Sequence, residues 1–234
     1  MNWVLDNLDL IGRLSLDHLR LSVVPIVLGF VIAIPLGWVA WRLRITGAVL
    51  LTVAGLLYTI PSIALIVALP AIIGTSLLSE SNVTIALTLY AVAIMARSVA
   101  EALGSVDTGT RQAAVAMGYS SWRRFWGVDF PLAGPVLLAG LRVVAVSTIA
   151  LVTVGALVGI DSLGYLFTNG YQRRIIPEIL AGLVVTMALA LIVDGLLVLV
   201  GRALMPWTRR QPSASVKESA ETSFGRGVNP GGAA

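Results

Sequence analysis

The chain has 234 residues, 57% of them hydrophobic and 12% charged, with no cysteine, one histidine and a formal net charge of +4, and its mean hydropathy is +0.92. That composition lies outside the range of a soluble globular domain and calls for lipid as solvent; at roughly 20 apolar residues per crossing it leaves room for about five or six helices and no separate catalytic domain. The counts exclude disulfides, thiolate metal sites, cysteine nucleophiles and histidine metal clusters, and the arginine excess reads as membrane orientation rather than nucleic-acid binding.

Residues 1–20 carry Asp6, Asp9 and Asp17 and are expected as a segment ahead of the first span, since a signal peptide would open with a short basic region. The first uncharged run, Leu21 to Trp41, is one bilayer crossing long and is followed by Arg42 and Arg44. Ile45 to Ser79 is uncharged throughout. As one straight helix it would measure roughly 50 Å and overshoot the hydrocarbon core, so a span near Leu50 to Ile73 is expected to break at Pro61 and Pro70. The small residues Gly29, Gly37, Gly55 and Ala64 are expected at helix contacts.

The third span is predicted from Asn82 to Leu103, with Arg97 and Glu101 four residues apart on one face and able to pair. Gly104 to Phe130 is the most polar internal stretch. A fourth span runs from Pro131 to Gly159 with Arg142 near its start, a loop from Ile160 to Pro177 carries Arg173 and Arg174, and a fifth span from Ile179 to Gly201 contains Asp194. Arg142 and Asp194 are expected near the inner ends of neighbouring spans, where they pair. After Met205 the chain turns to Ser, Gly, Pro, Lys and Glu, too poor in apolar residues for a core, so 207–234 reads as a disordered tail. Five spans put the termini on opposite sides. Placing the N-terminus outside brings most of the basic residues inside, chiefly those between Arg111 and Arg124 and near the C-terminus.

Within that inner loop, Gln112 to Gly118 reads as a short helix closed by a glycine able to take the left-handed conformation, and Ser120 caps a second short helix. Trp122, Phe125 and Trp126 fall on one apolar stripe, with Arg123 and Arg124 off it. Such a helix suits a groove on a soluble partner and equally suits lipid headgroups; the residues alone leave both readings open.

The stretch resembles the EAA loop of ABC importer permeases: Glu-Ala-Ala, three residues, Gly, nine residues, then an aliphatic residue, any residue, Leu and Pro. Here the register is Gln112, Ala113, Ala114, Gly118, Val128, Phe130 and Pro131, with every spacing kept. Gln112 stands where the family has Glu, and Phe130 where it has Leu. Tyr58-Thr59-Ile60-Pro61-Ser62 is similar to the YTIPS segment of permeases for glycine betaine, carnitine and choline, as are Val106-Asp107 and the Gly159 to Gly164 counterpart of a GAGGLG segment, which departs from it at Ile160, Asp161 and Ser162.

The resemblance implies an all-α integral membrane protein with five (or six) transmembrane helices and a type I ABC importer permease-like core. Residues 21–206 would be the permease domain and 104–131 its cytoplasmic coupling loop. Gln112, Ala113, Ala114, Gly118, Trp122, Arg123, Arg124, Phe125, Phe130 and Pro131 would meet an ATPase. Two cytoplasmic ATPase subunits, a second permease copy or similar permease, and an extracytoplasmic solute-binding protein are the implied partners, in the cytoplasmic membrane of a prokaryote. Tyr58, Pro61 and Ser62 are the candidates for the translocation path, where an aromatic face can meet a quaternary ammonium; Pro61 is equally a packing kink. Asp161, Arg173 and Arg174 read either as a docking surface for the binding protein or as solvated loop charges. The chain lacks a GxxxxGK[ST] phosphate loop, so no cofactor is expected on it and ATP hydrolysis is assigned elsewhere. The alternatives are a permease for another small polar solute such as methionine, a stand-alone channel or secondary transporter, and a membrane-embedded enzyme. A stand-alone channel leaves the Trp122 to Trp126 helix unexplained.

Overall fold

The computed structural model describes residues 2–76 and 78–210, and every regular element among them is helical. A short helix α1 (Asn2–Asp6) precedes α2 (Leu8–Arg42), which at 35 residues is much longer than the Leu21 to Trp41 run. Most of residues 1–20 is therefore helical and continuous with the first span, where only a segment ahead of it was expected. The reason lies in its buried face: Ile11, Leu14 and His18 continue the helical spacing of Leu21, Ser22 and Pro25. His18 is fully buried. Its Nδ1 accepts from the Leu163 N–H at 3.3 Å and its Nε2 donates to the Ile149 carbonyl at 2.9 Å, the neutral tautomer assigned by the hydrogen-bond network.

Helix α2 lies against α5 (Glu80–Gly104). A Cβ at Gly29 would come 2.4 Å from that of Ala91, and one at Gly37 would come 2.5 Å from that of Val99. Both glycines are thus helix-contact positions, where small residues let backbones approach. Gly55 and Ala64 are not: a Cβ at Gly55 would meet only the tip of Arg97, at 3.9 Å, and Ala64 is exposed.

The second hydrophobic run forms α3 (Arg44–Thr59) and α4 (Ser62–Ile73), bent by 103° across Ile60 and Pro61. Both break residues are extended, because proline removes a donor and drives its predecessor out of the helical region. The Tyr90 hydroxyl fixes the break by donating to the Ile60 carbonyl at 2.6 Å. Pro70, the other expected break, sits inside α4; it costs one hydrogen bond, and the stop comes instead from left-handed Gly74, φ +72°.

After α5 come α6 (Thr108–Ala116), a single turn α7 (Ser121–Arg124), α8 (Phe130–Val152), α9 (Gly164–Arg173) and α10 (Ile176–Leu204). Helix α9 replaces the irregular loop expected between Ile160 and Pro177. Its Leu166 and Gly170 are buried, and a Cβ at Gly170 would come 2.8 Å from Ile179 of α10, so tertiary packing holds a segment too polar to read as a helix. Four helices are long and apolar enough to cross a membrane, namely Leu8–Arg42, Glu80–Gly104, Ser121–Val158 and Ile176–Leu204, with the bent α3–α4 pair a fifth if counted as one span. No sixth is found among the described residues. The core follows α5: Met95, Ala96, Val99 and Leu103 pack with Ala33 of α2 and with Leu137 and Val144 of α8. The chain ends its described part in a short turn, Pro206–Arg210; the rest of the expected tail, 211–234, lies outside the described residues.

Candidate functional site

The loop between α5 and α8 is built from strong local stops. Asp107 caps α6: its Oδ2 accepts from the Thr110 N–H at 2.8 Å and from the Thr110 hydroxyl at 3.1 Å. The Thr110 backbone bond, then its hydroxyl, hold the Asp107 carboxyl below the usual carboxylate range. Gly118, φ +81°, ends α6, with the Tyr119 N–H bonded back to the Ala114 carbonyl at 3.1 Å. Ser120 caps the next turn through the Arg123 N–H.

The second short helix is not free-standing. A π-turn, Phe125–Asp129, joins α7 directly to α8, so the fourth span is one helix from Ser121 to Val158. The Phe130 N–H reaches back to the Phe125 carbonyl. This shift to i−5 bonding falls immediately before Pro131, which has no N–H to continue the i−4 ladder.

Asp129, 1% exposed, is the centre of the loop. Arg111 donates from Nε to its Oδ1 at 2.9 Å, and Arg124 donates from Nε to its Oδ2 at 3.1 Å. Arg111 also donates to the Leu103 carbonyl and lies 4.6 Å over the Trp41 ring. One carboxylate thus ties α6 and α7 to the ends of α2 and α5. Arg124, expected beside Arg123 on the polar side, is turned inward, while Arg123 stays exposed over the Tyr119 ring at 5.0 Å. Asp129 was not singled out by sequence, and Arg111 entered only as an orientation charge; the signal was an acid beside Pro131 at the mouth of a span, within reach of the loop's arginines.

The aromatic stripe divides. Phe125 is buried, edge-on to Trp38 at 6.5 Å and tilted against Phe130 at 5.8 Å. Trp126 links it to Trp122, which is 73% exposed. Val115 and Met117 are exposed beside it. Of the Gln-Ala-Ala segment, Ala114 is buried and Gln112 and Ala113 are exposed. A shallow groove of about 340 Å³ runs between Gln112, Val115 and Ala116 and the Arg111 and Arg124 side chains. Pro131 is half-buried at the start of α8.

Within the membrane-level part, Tyr58 is exposed and edge-on to Tyr90 at 5.7 Å, with Pro61 exposed and Ser62 half-buried at the break. Arg97 and Glu101 do not pair: both are exposed, and neither has an ion-pair partner among the described residues. Their order is the weaker one for an i, i+4 pair, with the base N-terminal to the acid, and the Arg97 guanidinium leans toward Gly55 of α3. Arg142 and Asp194 do meet, in a two-pronged pair of 2.6 and 2.7 Å. At 1.5 Å per residue, roughly 15 Å of helix separates Asp194 from the end of α10 at Leu204. The pair therefore lies well within both helices rather than near their ends, since α8 continues a helix that starts at Ser121 and α10 runs on ten residues past Asp194 to Leu204.

At the opposite end from the loop, Glu178 is fully buried and accepts from Asn169 Nδ2 at 2.6 Å. A polar hollow of about 330 Å³ lies nearby, lined by Asp161, Tyr165, Thr168, Asn169 and Gln172. Arg173 and Arg174 are exposed.

Residues 18–207 match the model of the family described as binding-protein-dependent transport system inner membrane component. The chain belongs to that family. It is 33% identical over 200 residues to the osmoprotectant import permease protein OsmW of Salmonella typhimurium, covering 84% of this chain and 93% of that one. It is 32% identical to the carnitine transport permease protein OpuCD of Listeria monocytogenes, over 81% of this chain and 84% of the relative. A solved chain of the MetNI methionine ABC transporter, from an inward-facing crystal form, superimposes with a TM-score of 0.73 at 25% identity, covering 84% of this chain and 97% of that one. The all-α permease fold is thus established, and the chain is a multi-pass membrane component of a transport system.

Proposed function

We propose that this permease subunit forms part of the path by which an ATP-driven importer takes up a small quaternary-ammonium osmoprotectant. A copy of this subunit, or a similar permease, completes the path, and two ATPase subunits bind the paired coupling loops, here residues 104–131. A binding protein delivers solute at the end that carries α9. The N-terminus lies outside, so the arginine-rich loop faces the cytoplasm. The solute class rests on the relatives, whose names give osmoprotectants and carnitine. A third, OpuCB of Bacillus subtilis, is named for glycine betaine, carnitine and choline.

The observation that carries the coupling role is the buried Arg111–Asp129–Arg124 cluster. A surface that transmits force must be stiff toward the spans and open toward its partner. Here Arg111, Arg124 and Asp129 are turned inward, while Val115, Met117 and Trp122 project outward as apolar anchors for a partner groove. Closure of the ATPases would push these surfaces together and shift the spans between states, the partner biasing a two-state element. Lipid headgroups alone would give no reason to weld the loop to three helices.

Co-purification with the ATPase tests the loop. Trp122→Ala or Gly118→Asp is expected to abolish association while leaving the chain in the membrane; association retained in both variants sinks the coupling role. Uptake of labelled glycine betaine, carnitine and choline, in cells with and without the chain, tests the solute class.

A further inference from the structure

The Arg142–Asp194 pair is built unlike a structural weld. It sits well inside two helices long and apolar enough to span a membrane, yet 43% of the Arg142 side chain and 22% of the Asp194 side chain are exposed. Both line a groove of about 540 Å³ between α8 and α10, together with Val146 and Ser147 of α8 and Met187 and Leu191 of α10. The α8 residues recur at three- and four-residue steps, as do those of α10, so the groove runs between two facing helix stripes. Charges at this depth do not face hydrocarbon; they face protein or a water-filled path, and they mark function by default. In the pair, Arg142 spends Nε and Nη2 on the carboxylate. The guanidinium has five N–H donors in its fork, which leaves others for the groove.

We propose that this groove is a solute-contact site for zwitterionic quaternary-ammonium compounds, with the solute carboxylate taken by Arg142 and its ammonium facing Asp194. The assignment rests on the proposed function and names the residues that would select within its solute class. The electrostatic argument concerns what happens to each charge. When the path is empty the two side chains satisfy one another. A zwitterion entering between them supplies one opposite charge to each, so neither is left unpaired in a low-dielectric site. A solute that is only a cation can engage Asp194 but, by filling the groove, cuts Arg142 off from both partner and water, and an uncompensated desolvated charge is the costly outcome. The pair therefore favours a betaine over choline, and it closes on itself behind the departing solute.

The test uses the complete transporter, with its ATPase and binding protein, and labelled glycine betaine and choline. Arg142→Gln is expected to lower betaine uptake roughly tenfold more than choline uptake, the size of one lost charge-assisted hydrogen bond. Asp194→Asn should lower both. The double exchange Arg142→Asp with Asp194→Arg should restore the ion pair and the amount of assembled complex but not betaine uptake, since the two charges then stand on the wrong walls of the groove. Should the exchanged chain fail to accumulate, Arg142→Lys serves: it keeps the ion pair and loses the fork, and a drop in betaine uptake of about threefold or more supports the site. Full uptake by the exchanged chain, unchanged uptake by Arg142→Lys, or equal losses of both solutes in Arg142→Gln, overturns the site while leaving the proposed function standing. A wild-type transporter that carries neither solute, or choline alone, overturns it as well, and the former removes the proposed solute class with it. A wild type that excludes choline is the same preference in its limit, and the exchange then decides.

Discussion

The two arginine–aspartate clusters of this chain use the same chemistry at similar distances, 2.9 and 3.1 Å at Asp129 against 2.6 and 2.7 Å at Asp194, and differ in what surrounds them. Asp129 is 1% exposed and both its oxygens are claimed by arginines that are themselves about seven-eighths covered, at 14% and 15% exposure. Asp194 meets one arginine, and that arginine is nearly half open. Distance alone would rank the membrane pair as the stronger. Burial reverses the ranking for stability: a charge sealed among its partners cannot find water when one is removed, whereas an open one can.

The largest expected effect is therefore at the loop. Asp129→Ala strands two arginines and is expected to cost about 3–5 kcal/mol, the range for breaking a buried pair by deleting one partner. It should be read as loss of folded chain in a detergent thermal-unfolding assay and as new protease cuts between Asp107 and Pro131. Asp194→Ala is expected to shift unfolding much less by the same assay, because the half-open Arg142 can rehydrate toward the groove, with its deficit in uptake instead. Equal destabilisation by the two substitutions would erase the distinction between weld and working pair.

This contrast also explains what could be read from the sequence. Run length and charge spacing located the spans, because apolar length is what lipid demands, and Gly118 marked its stop because few other residues take that backbone. The EAA register fixed which residues occupy the loop. It did not say which way they face: Arg123 and Arg124 are equivalent neighbours in sequence, and only the π-turn before Pro131 decides that one points at Asp129 and the other at Tyr119. Pro61 was legible as a break, but the 103° angle depends on Tyr90, from another helix, holding the Ile60 carbonyl. Spacing gave Arg97 and Glu101 as a pair, which the structure does not form, and α9 reads as a loop from its polar composition, since what holds it is contact with α10. Caps and stops carried through because their partners are a few residues away; side-chain facing did not, because neighbouring helices decide it.

Two smaller effects sharpen the loop side of the comparison. Gly118→Ala adds a Cβ that meets nothing within 4 Å, so its cost is backbone alone, about 1–2 kcal/mol for a left-handed alanine. Thermal unfolding should show that shift with the protease pattern unchanged. A larger loss would mean that the glycine also carries a contact. The Asp107 cap lies outside the weld, fully exposed, and its effect should be the smallest and depend on pH. Its carboxyl is held below the ordinary range by the Thr110 bonds. A depressed folded-state pKa contributes stability that is present above the unfolded value, near ~3.9, and is lost as pH falls through the folded value. Amide exchange at Thr110 should therefore stay slow at neutral pH and speed up, relative to its intrinsic rate, only on acidification below about pH 4. Asp107→Asn should flatten that dependence, because an asparagine cap does not titrate. Protection at Thr110 that is indifferent to pH in the wild type would show that α6 is held by the Asp129 weld alone and that its cap adds nothing to it.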